Sequence, residues 1–161
     1  MCGIAGVLNS DGRPADPDLL RRMIGVIRHR GPDGCGIYSD QSVGLAHARL
    51  SIIDIAGGAQ PMQIADKSLW ITFNGEIFNY VELRDELIQK GHRFATRSDT
   101  EVILHLYQEE GEKCVERLNG QWAFAIWDAG CRKLFLSRGP AWRTAALLYP
   151  DRKQLFICIG G

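Results

Sequence analysis

Apolar residues run almost unbroken from Cys2 to Leu8 and stop at Asn9, Asp11 and Gly12, which predicts a short buried strand. Asp16 and Pro17 then mark a helix start, with proline tolerated in the first turn. Leu19, Leu20, Met23, Ile24 and Ile27 follow at helical spacing, and the helix ends near Arg28, before the Gly31-Pro32-Asp33-Gly34 loop. Short strands are predicted over Gly36–Ser39, Val43–Ala48, Leu50–Ile53 and Leu69–Phe73, the last closed by the turn-forming pair Asn74-Gly75.

A second helix is expected over Tyr80–Lys90, with Asn79 as N-cap, Glu82 three residues on, and Gly91 as its stop. A third opens at Ser98 with Glu101 completing a capping box, and carries Val102, Ile103, Leu106 and Tyr107 on one face. A short helix around Lys113–Leu118 precedes a hairpin, Gln121–Trp127 with Lys133–Ser137, turning at Asp128-Ala129-Gly130. The order of elements indicates an α+β domain with helices packed on largely antiparallel sheet.

Composition narrows the function classes. Lys plus Arg and Asp plus Glu both number 19, so no basic excess points to nucleic acid, and a small zwitterionic ligand suits the balance better than a polyanion. No apolar run approaches the roughly 20 residues needed to span a bilayer. The N-terminus also lacks a basic segment ahead of an apolar stretch, so it is a poor signal peptide. The five cysteines, Cys2, Cys35, Cys114, Cys131 and Cys158, are odd in number and show no C-x-x-C spacing. Neither a disulfide framework nor a zinc site is expected, and a cytoplasmic, reducing setting fits. Cys35, Cys114, Cys131 and Cys158 read as small buried apolar residues. His47, His92 and His105 have no ligand-like spacing and read as structural or surface residues.

Cys2 differs because of its position. Removal of Met1 would place its thiol beside a free α-amine of pKa about 7.7–8.0, a base that can take the thiol proton and later return it. By position alone Cys2 reads as an incidental cysteine. The next residues, Gly3-Ile4-Ala5-Gly6-Val7, form a glycine-spaced strand that lets other backbone approach the sulfur.

Five motifs follow in order: MCGIAGV, RHRGPDGCG (Arg28–Gly36), ARLSIID (Ala48–Asp54), NGEIFNY (Asn74–Tyr80) and SDTEVIL (Ser98–Leu104). Together they resemble the class II, or N-terminal-nucleophile, glutamine amidotransferases, most of all the glutaminase domain of glutamine-dependent asparagine synthetases. The resemblance covers residues 1–138. It implies an αββα four-layer sandwich that hydrolyses glutamine to glutamate through a Cys2 thioester and passes the ammonia to a synthetase partner.

The resemblance assigns catalysis to Cys2, Asn74 and Gly75, the last two as oxyanion donors. It assigns substrate binding to Arg49, Leu50, Ser51, Ile52, Ile53, Asn74, Gly75, Glu76 and Asp99. The chemistry of the residues is compatible. Arg49 offers a fork for the α-carboxylate, although a sheet-surface arginine reads the same way. Asp99 offers an anion for the α-ammonium, although helix-dipole compensation also explains an acid there. Asn74-Gly75 is equally a plain turn. His29-Arg30-Gly31-Pro32-Asp33 suits a fixed loop in which Arg30 and Asp33 pair locally, and no catalytic role is read for it.

After Arg138 the match stops, and residues 139–161 read as an atypical tail in place of the last strands, as if the domain were truncated at its C-terminal end. Leu147-Leu148-Tyr149 and Gln154–Ile159 remain short-strand candidates. No SGGxDS-type loop occurs in the chain. The glutaminase step needs no metal or organic cofactor, and the resemblance confines ATP and Mg to a synthetase domain not expected here. The expected partners are L-glutamine and a synthetase domain or subunit, with no membrane and no nucleic acid. A non-catalytic glutamine-binding fragment, or the glutaminase half of a sugar-phosphate or phosphoribosyl amidotransferase, stays open beside this reading.

Overall fold

In the computed structural model, residues 2–140, 146–151 and 153–159 are described. Their first strand, β1 (Gly3–Asn9), lies in the middle of a five-stranded sheet. Helix α1 (Pro17–Val26) follows, with Asp16 Oδ1 accepting the Asp18 N–H at 2.8 Å as its N-cap. The chain makes a 3-10 turn at Arg28–Arg30 and returns as the hairpin β2 (Gly34–Asp40) and β3 (Val43–Arg49). A two-residue strand, β4 (Met62–Gln63), leads to β5 (Leu69–Ile77). Helices α2 (Tyr80–Gln89) and α3 (Asp99–Glu110) come next, then a 3-10 segment, Gly111–Glu116. The hairpins β6 (Gly120–Asp128) with β7 (Lys133–Arg138), and β8 (Ala146–Asp151) with β9 (Gln154–Ile159), complete the fold.

The strands form two antiparallel sheets, ordered β2-β3-β1-β9-β8 and β4-β5-β6-β7. Period-two alternation sends neighbouring side chains to opposite layers. In β3, Ala46 and Ala48 pack against Leu20 and Ile24 of α1, whereas Val43 and Leu45 meet Ala125 and Trp127 of β6 between the sheets. In β5, Ile71 and Phe73 face outward into the core shared with Leu83, Leu87 and Leu104 of α2 and α3. The result is the helix–sheet–sheet–helix sandwich implied by the motifs. Leu104 is fully buried in that outer core, so Leu104→Ala is expected to cost about 2–5 kcal/mol, read as a lower urea midpoint.

Several local expectations are corrected. Leu50–Ile53 is not a strand, because pairing with β2 and β1 ends at Arg49 and Ala48 and the chain turns away. Asn74-Gly75 is not a turn either: β5 runs through it to Ile77, with Gly75 opposite Trp122. Glycine is required there, since at φ 151° a side chain would drive into the Gln121 carbonyl oxygen and the Trp122 backbone. Asn79 occupies the N-cap of α2 without capping it. Its amide donates to Arg117 O at 2.9 Å and accepts from Asn119 N at 2.9 Å, tying the helix to the segment before β6. Ser98 does cap α3, but Glu101 makes no reciprocal box; its carboxylate accepts from Ala95 N and from Thr96 N and Oγ1.

Pairing does not end at residue 138. β9 lies along the free edge of β1 from Ile4 to Asn9, so the first sheet has strands on both sides of β1. Of the residue 139–161 tail, residues 141–145, 152, 160 and 161 lie outside the described residues. All five cysteines are free, but Cys35 and Cys131 are exposed rather than buried because they sit at an edge strand and a hairpin turn. Among the described residues no helix is long and apolar enough to cross a membrane.

Candidate active site

Antiparallel register brings the start of β1, the end of β3, the end of β5 and the start of β6 to one end of the inter-sheet space. A cavity of about 230 Å³ opens there, lined by Cys2, Arg49, Leu50, Ile52, Ile53, Asn74, Gly75, Glu76 and Asp99 among others. It suits a single small molecule. Among the residues singled out from the sequence, only Ser51 stays out of the lining. Its N–H donates to Asp33 Oδ2 at 2.7 Å, which fixes the turn after β3 from behind.

The Cys2 thiol lies against Leu50, accepting the Leu50 N–H at 3.3 Å and facing the Leu50 carbonyl oxygen at 3.5 Å. Arg30 Nε donates to the Cys2 carbonyl oxygen at 3.1 Å, so the RHRGPD loop holds both the nucleophile's backbone and, through Asp33, the segment facing it. Burial pushes the thiol above its ordinary pKa, and the Leu50 N–H only partly offsets this. A resting thiol of this kind needs a base to become nucleophilic. No histidine or lysine lines the cavity among the described residues. Met1 lies outside the described residues, and with it the expected exposure of the Cys2 amine.

Asn74 is 1% exposed, and its amide Nδ2 has no hydrogen-bond partner among the described residues. A buried donor left unpaired costs about 1–3 kcal/mol, so its retention beside the thiol is the clearest sign of a ligand in this cavity. Asp99 is 3% exposed at the first turn of α3, where it accepts from Ile77 N at 3.1 Å. Burial raises its pKa, against the Ile77 and Thr100 N–H bonds, and nearby Glu76 adds to the rise. Two carboxylates facing one cavity are relieved by a cation placed between them.

In the same lining, Arg49 Nη1 donates to Ile55 O at 2.9 Å and Nη2 to Asp54 O at 2.7 Å. These bonds leave guanidinium N–H groups over for a ligand carboxylate.

Sequence reasoning passed over Gln60 and Gln121. Gln60 Oε1 accepts from Phe73 N at 2.6 Å and Nε2 donates to Thr100 Oγ1 at 3.3 Å, which joins the strand carrying Asn74 to the helix carrying Asp99. Nothing local marks a loop glutamine for that task. Gln121 lines the cavity because β6 pairs it with Glu76, a long-range register.

The histidines stay outside the cavity. His105 is buried, lies 3.0 Å from His92 between their Nδ1 atoms, and sits against Glu101. His47 is wholly buried between the sheets, with Nδ1 3.3 Å from Thr72 Oγ1. Because Thr72 Oγ1 donates to Ala46 O, Nδ1 of His47 carries the proton.

Burial depresses the His47 pKa from 6.5 to about 3. Below pH 6.5 the unfolded chain takes a proton that the folded one refuses until about pH 3, so stability falls as pH drops through that window. The full effect is on the order of 5 kcal/mol. His47→Gln, which keeps a donor for Thr72, should flatten this acid limb in thermal melts between pH 6.5 and 3. A limb as steep as in the unaltered chain would refute it. Glu101, held at about 2 because His105, Thr96 and two backbone N–H groups outweigh its burial, gives a separate loss further down.

A thiol at the mouth of the first strand of an αββα sandwich is the architecture of the N-terminal-nucleophile hydrolases. The chain belongs to the glutamine amidotransferase domain family, whose model matches residues 1–153. It is 46% identical over 143 residues to asparagine synthetase [glutamine-hydrolyzing] 1 of Bacillus subtilis, covering 87% of this chain and 23% of that protein. It is 44% identical over 139 residues to asparagine synthetase [glutamine-hydrolyzing] 2 of Oryza sativa, covering 86% of this chain and 23% of that protein. The chain thus spans about a quarter of the length of these curated relatives.

Two solved structures share the fold. One is the glutamine phosphoribosylpyrophosphate amidotransferase of B. subtilis complexed with ADP and GMP: TM-score 0.80, 19% identity, covering 98% of this chain and 41% of that one. The other is an allosteric regulatory enzyme of purine biosynthesis: TM-score 0.77, 20% identity, covering 98% of this chain and 41% of that one.

Proposed function

We propose that this chain hydrolyses L-glutamine to L-glutamate and ammonia through a Cys2 thioester, and that the ammonia serves an asparagine-synthetase-type domain or subunit. The observation that carries the reading is the convergence on one cavity of a thiol, an unpartnered buried amide, a guanidinium and two carboxylates. Arg49 would take the α-carboxylate, and Asp99 with Glu76 the α-ammonium. A glutamine residue inside a peptide has neither charge, and binding it would leave both grips unpaired at a cost.

Once Met1 is removed, the α-amine of Cys2 takes the thiol proton, and the thiolate attacks the side-chain amide carbon. Asn74 Nδ2 and the Gly75 N–H donate to the oxygen that becomes negative. The Cys2 ammonium then returns the proton to the departing nitrogen, which leaves as ammonia. Water attacks the thioester carbon, its proton passes through the amine to sulfur, and glutamate is released. Leu50, Ile52 and Ile53 supply wall contacts along the substrate. No metal or organic cofactor enters these steps; ATP and Mg belong to the proposed partner. The 44–46% identity to two glutamine-hydrolysing asparagine synthetases favours that acceptor over sugar-phosphate or phosphoribosyl ones.

A glutamine-like alkylating analogue followed by mass spectrometry tests the reading. The expected product is one adduct, on a peptide that begins at Cys2, suppressed by excess L-glutamine. An adduct at Cys35 or Cys131 instead, with Cys2 untouched, would contradict it.

A further inference from the structure

Asp54 closes the ARLSIID motif, lies outside the cavity lining, and has no role in the reaction described above. Its bonds reach three parts of the site. Its carbonyl oxygen accepts from Arg49 Nη2 at 2.7 Å and from Gly58 N at 2.8 Å. Its carboxylate accepts from Gly57 N at 2.8 Å through Oδ1 and from Arg97 N at 2.8 Å through Oδ2. Arg97 stands two residues ahead of Asp99, and Ser98 between them caps α3.

The residue is turned so that both ends work at once. Its φ is 46°, in the left-handed region that non-glycine residues seldom adopt. Gly57 and Gly58 fit closely around it: a Cβ at Gly57 would strike the Asp54 carboxylate, and one at Gly58 would crowd Arg49 Nη2. The Arg97 and Gly57 N–H bonds, with Arg49 and Arg97 nearby, hold the Asp54 carboxyl below its ordinary pKa, so the acceptor stays charged.

We infer that Asp54 is a positioning residue that sets the separation between the guanidinium of Arg49 and the carboxylate of Asp99, and so the length of zwitterion the site accepts. This rests on the glutaminase reading above. One side chain joins the loop wrapped around Arg49 to the main chain that delivers Asp99, across 43 residues of sequence. The brace acts on how the two charged ends of the ligand are gripped. It touches neither the Cys2 sulfur nor the Asn74 amide. Its loss therefore falls on binding and charge selection more than on the chemical step.

Asp54→Asn isolates the brace. Asparagine tolerates the left-handed turn and keeps an oxygen for Gly57 N, but it presents an NH₂ to Arg97 N in place of an acceptor. The expected result is a KM for L-glutamine about 10- to 100-fold higher, with kcat within about threefold of the unaltered chain. The preference for L-glutamine over glutamine blocked at its α-amine or α-carboxylate should shrink in parallel. Cys2 alkylation by a small neutral haloamide should keep its rate, which shows the nucleophile's surroundings intact.

An unchanged KM and unchanged selectivity in Asp54→Asn, beside an active unaltered chain, would overturn the inference alone. So would a fall in kcat and melting temperature with KM constant, the mark of a purely structural role. An unaltered chain that releases no ammonia from L-glutamine would overturn the functional reading itself, and with it the inference.

Discussion

Cys2→Ala should abolish ammonia release from L-glutamine, lowering kcat by about 10⁴-fold or more, while glutamine still binds. The separation follows from the geometry. Arg49 and Asp99 reach the cavity from elements that do not depend on the sulfur, and the Cys2 side chain bonds to the backbone of Leu50. Losing that contact should change stability by no more than about 1 kcal/mol. A chain that keeps any residue ahead of Cys2 should lose about 10²–10⁴-fold, because the thiol's base would then be an amide. The raised thiol pKa makes this loss hard to avoid: burial disfavours the thiolate, and among the described residues the cavity lining provides no imidazole to replace the amine. Ammonia assays and calorimetry on both variants measure the two quantities. Equal ammonia release by Cys2→Ala would leave a glutamine-binding module and no enzyme.

Asn74→Leu is expected to reduce kcat by about 10²–10³-fold while leaving the melting temperature unchanged or raising it. A buried polar side chain normally cannot be replaced this way without loss, because a partner is stranded. Here Nδ2 has no partner among the described residues, so the replacement strands nothing there and removes a desolvated donor. A gain of up to about 1 kcal/mol would appear as a rise of a few degrees. Opposite movements of rate and stability distinguish an oxyanion donor from a structural amide. A loss of both together would assign Asn74 to the scaffold.

The local grammar of the chain was legible before any coordinates. The first helix starts at the Asp16-Pro17 signal, Ser98 caps the third, and the β6–β7 hairpin falls where its alternation and turn residues put it. The late strand candidates appear as β8 and β9. These features depend on forces that act over a few residues: dipole, cap, pleat and turn. The five motifs also pointed to Cys2, Arg49, Asn74, Gly75, Glu76 and Asp99, and those six residues line one cavity.

Where local grammar failed, a partner outside the expected motif, or the lack of one, had changed the outcome. Asn74-Gly75 reads as a turn until β6 arrives to pair Gly75 with Trp122, 47 residues further on, and the pair is kept extended. Asn79 and Glu101 read as caps, but nearby backbone donors and acceptors from Arg117, Asn119, Ala95 and Thr96 claim their side chains. Leu50–Ile53 has strand composition and no strand to pair with, so it wraps the cavity instead.

Local pattern alone specified the helices, most strands, the nucleophile candidate and the charged groups suited to a zwitterion. Tertiary structure alone decided their distances: the thiol against Leu50, Asp54 between Arg49 and Arg97, Gln60 between β5 and α3, and the orphaned amide of Asn74. The reason is that strand register and loop closure depend on the whole chain at once, and a hydrogen bond between residues 48 positions apart leaves no trace in the neighbourhood of either.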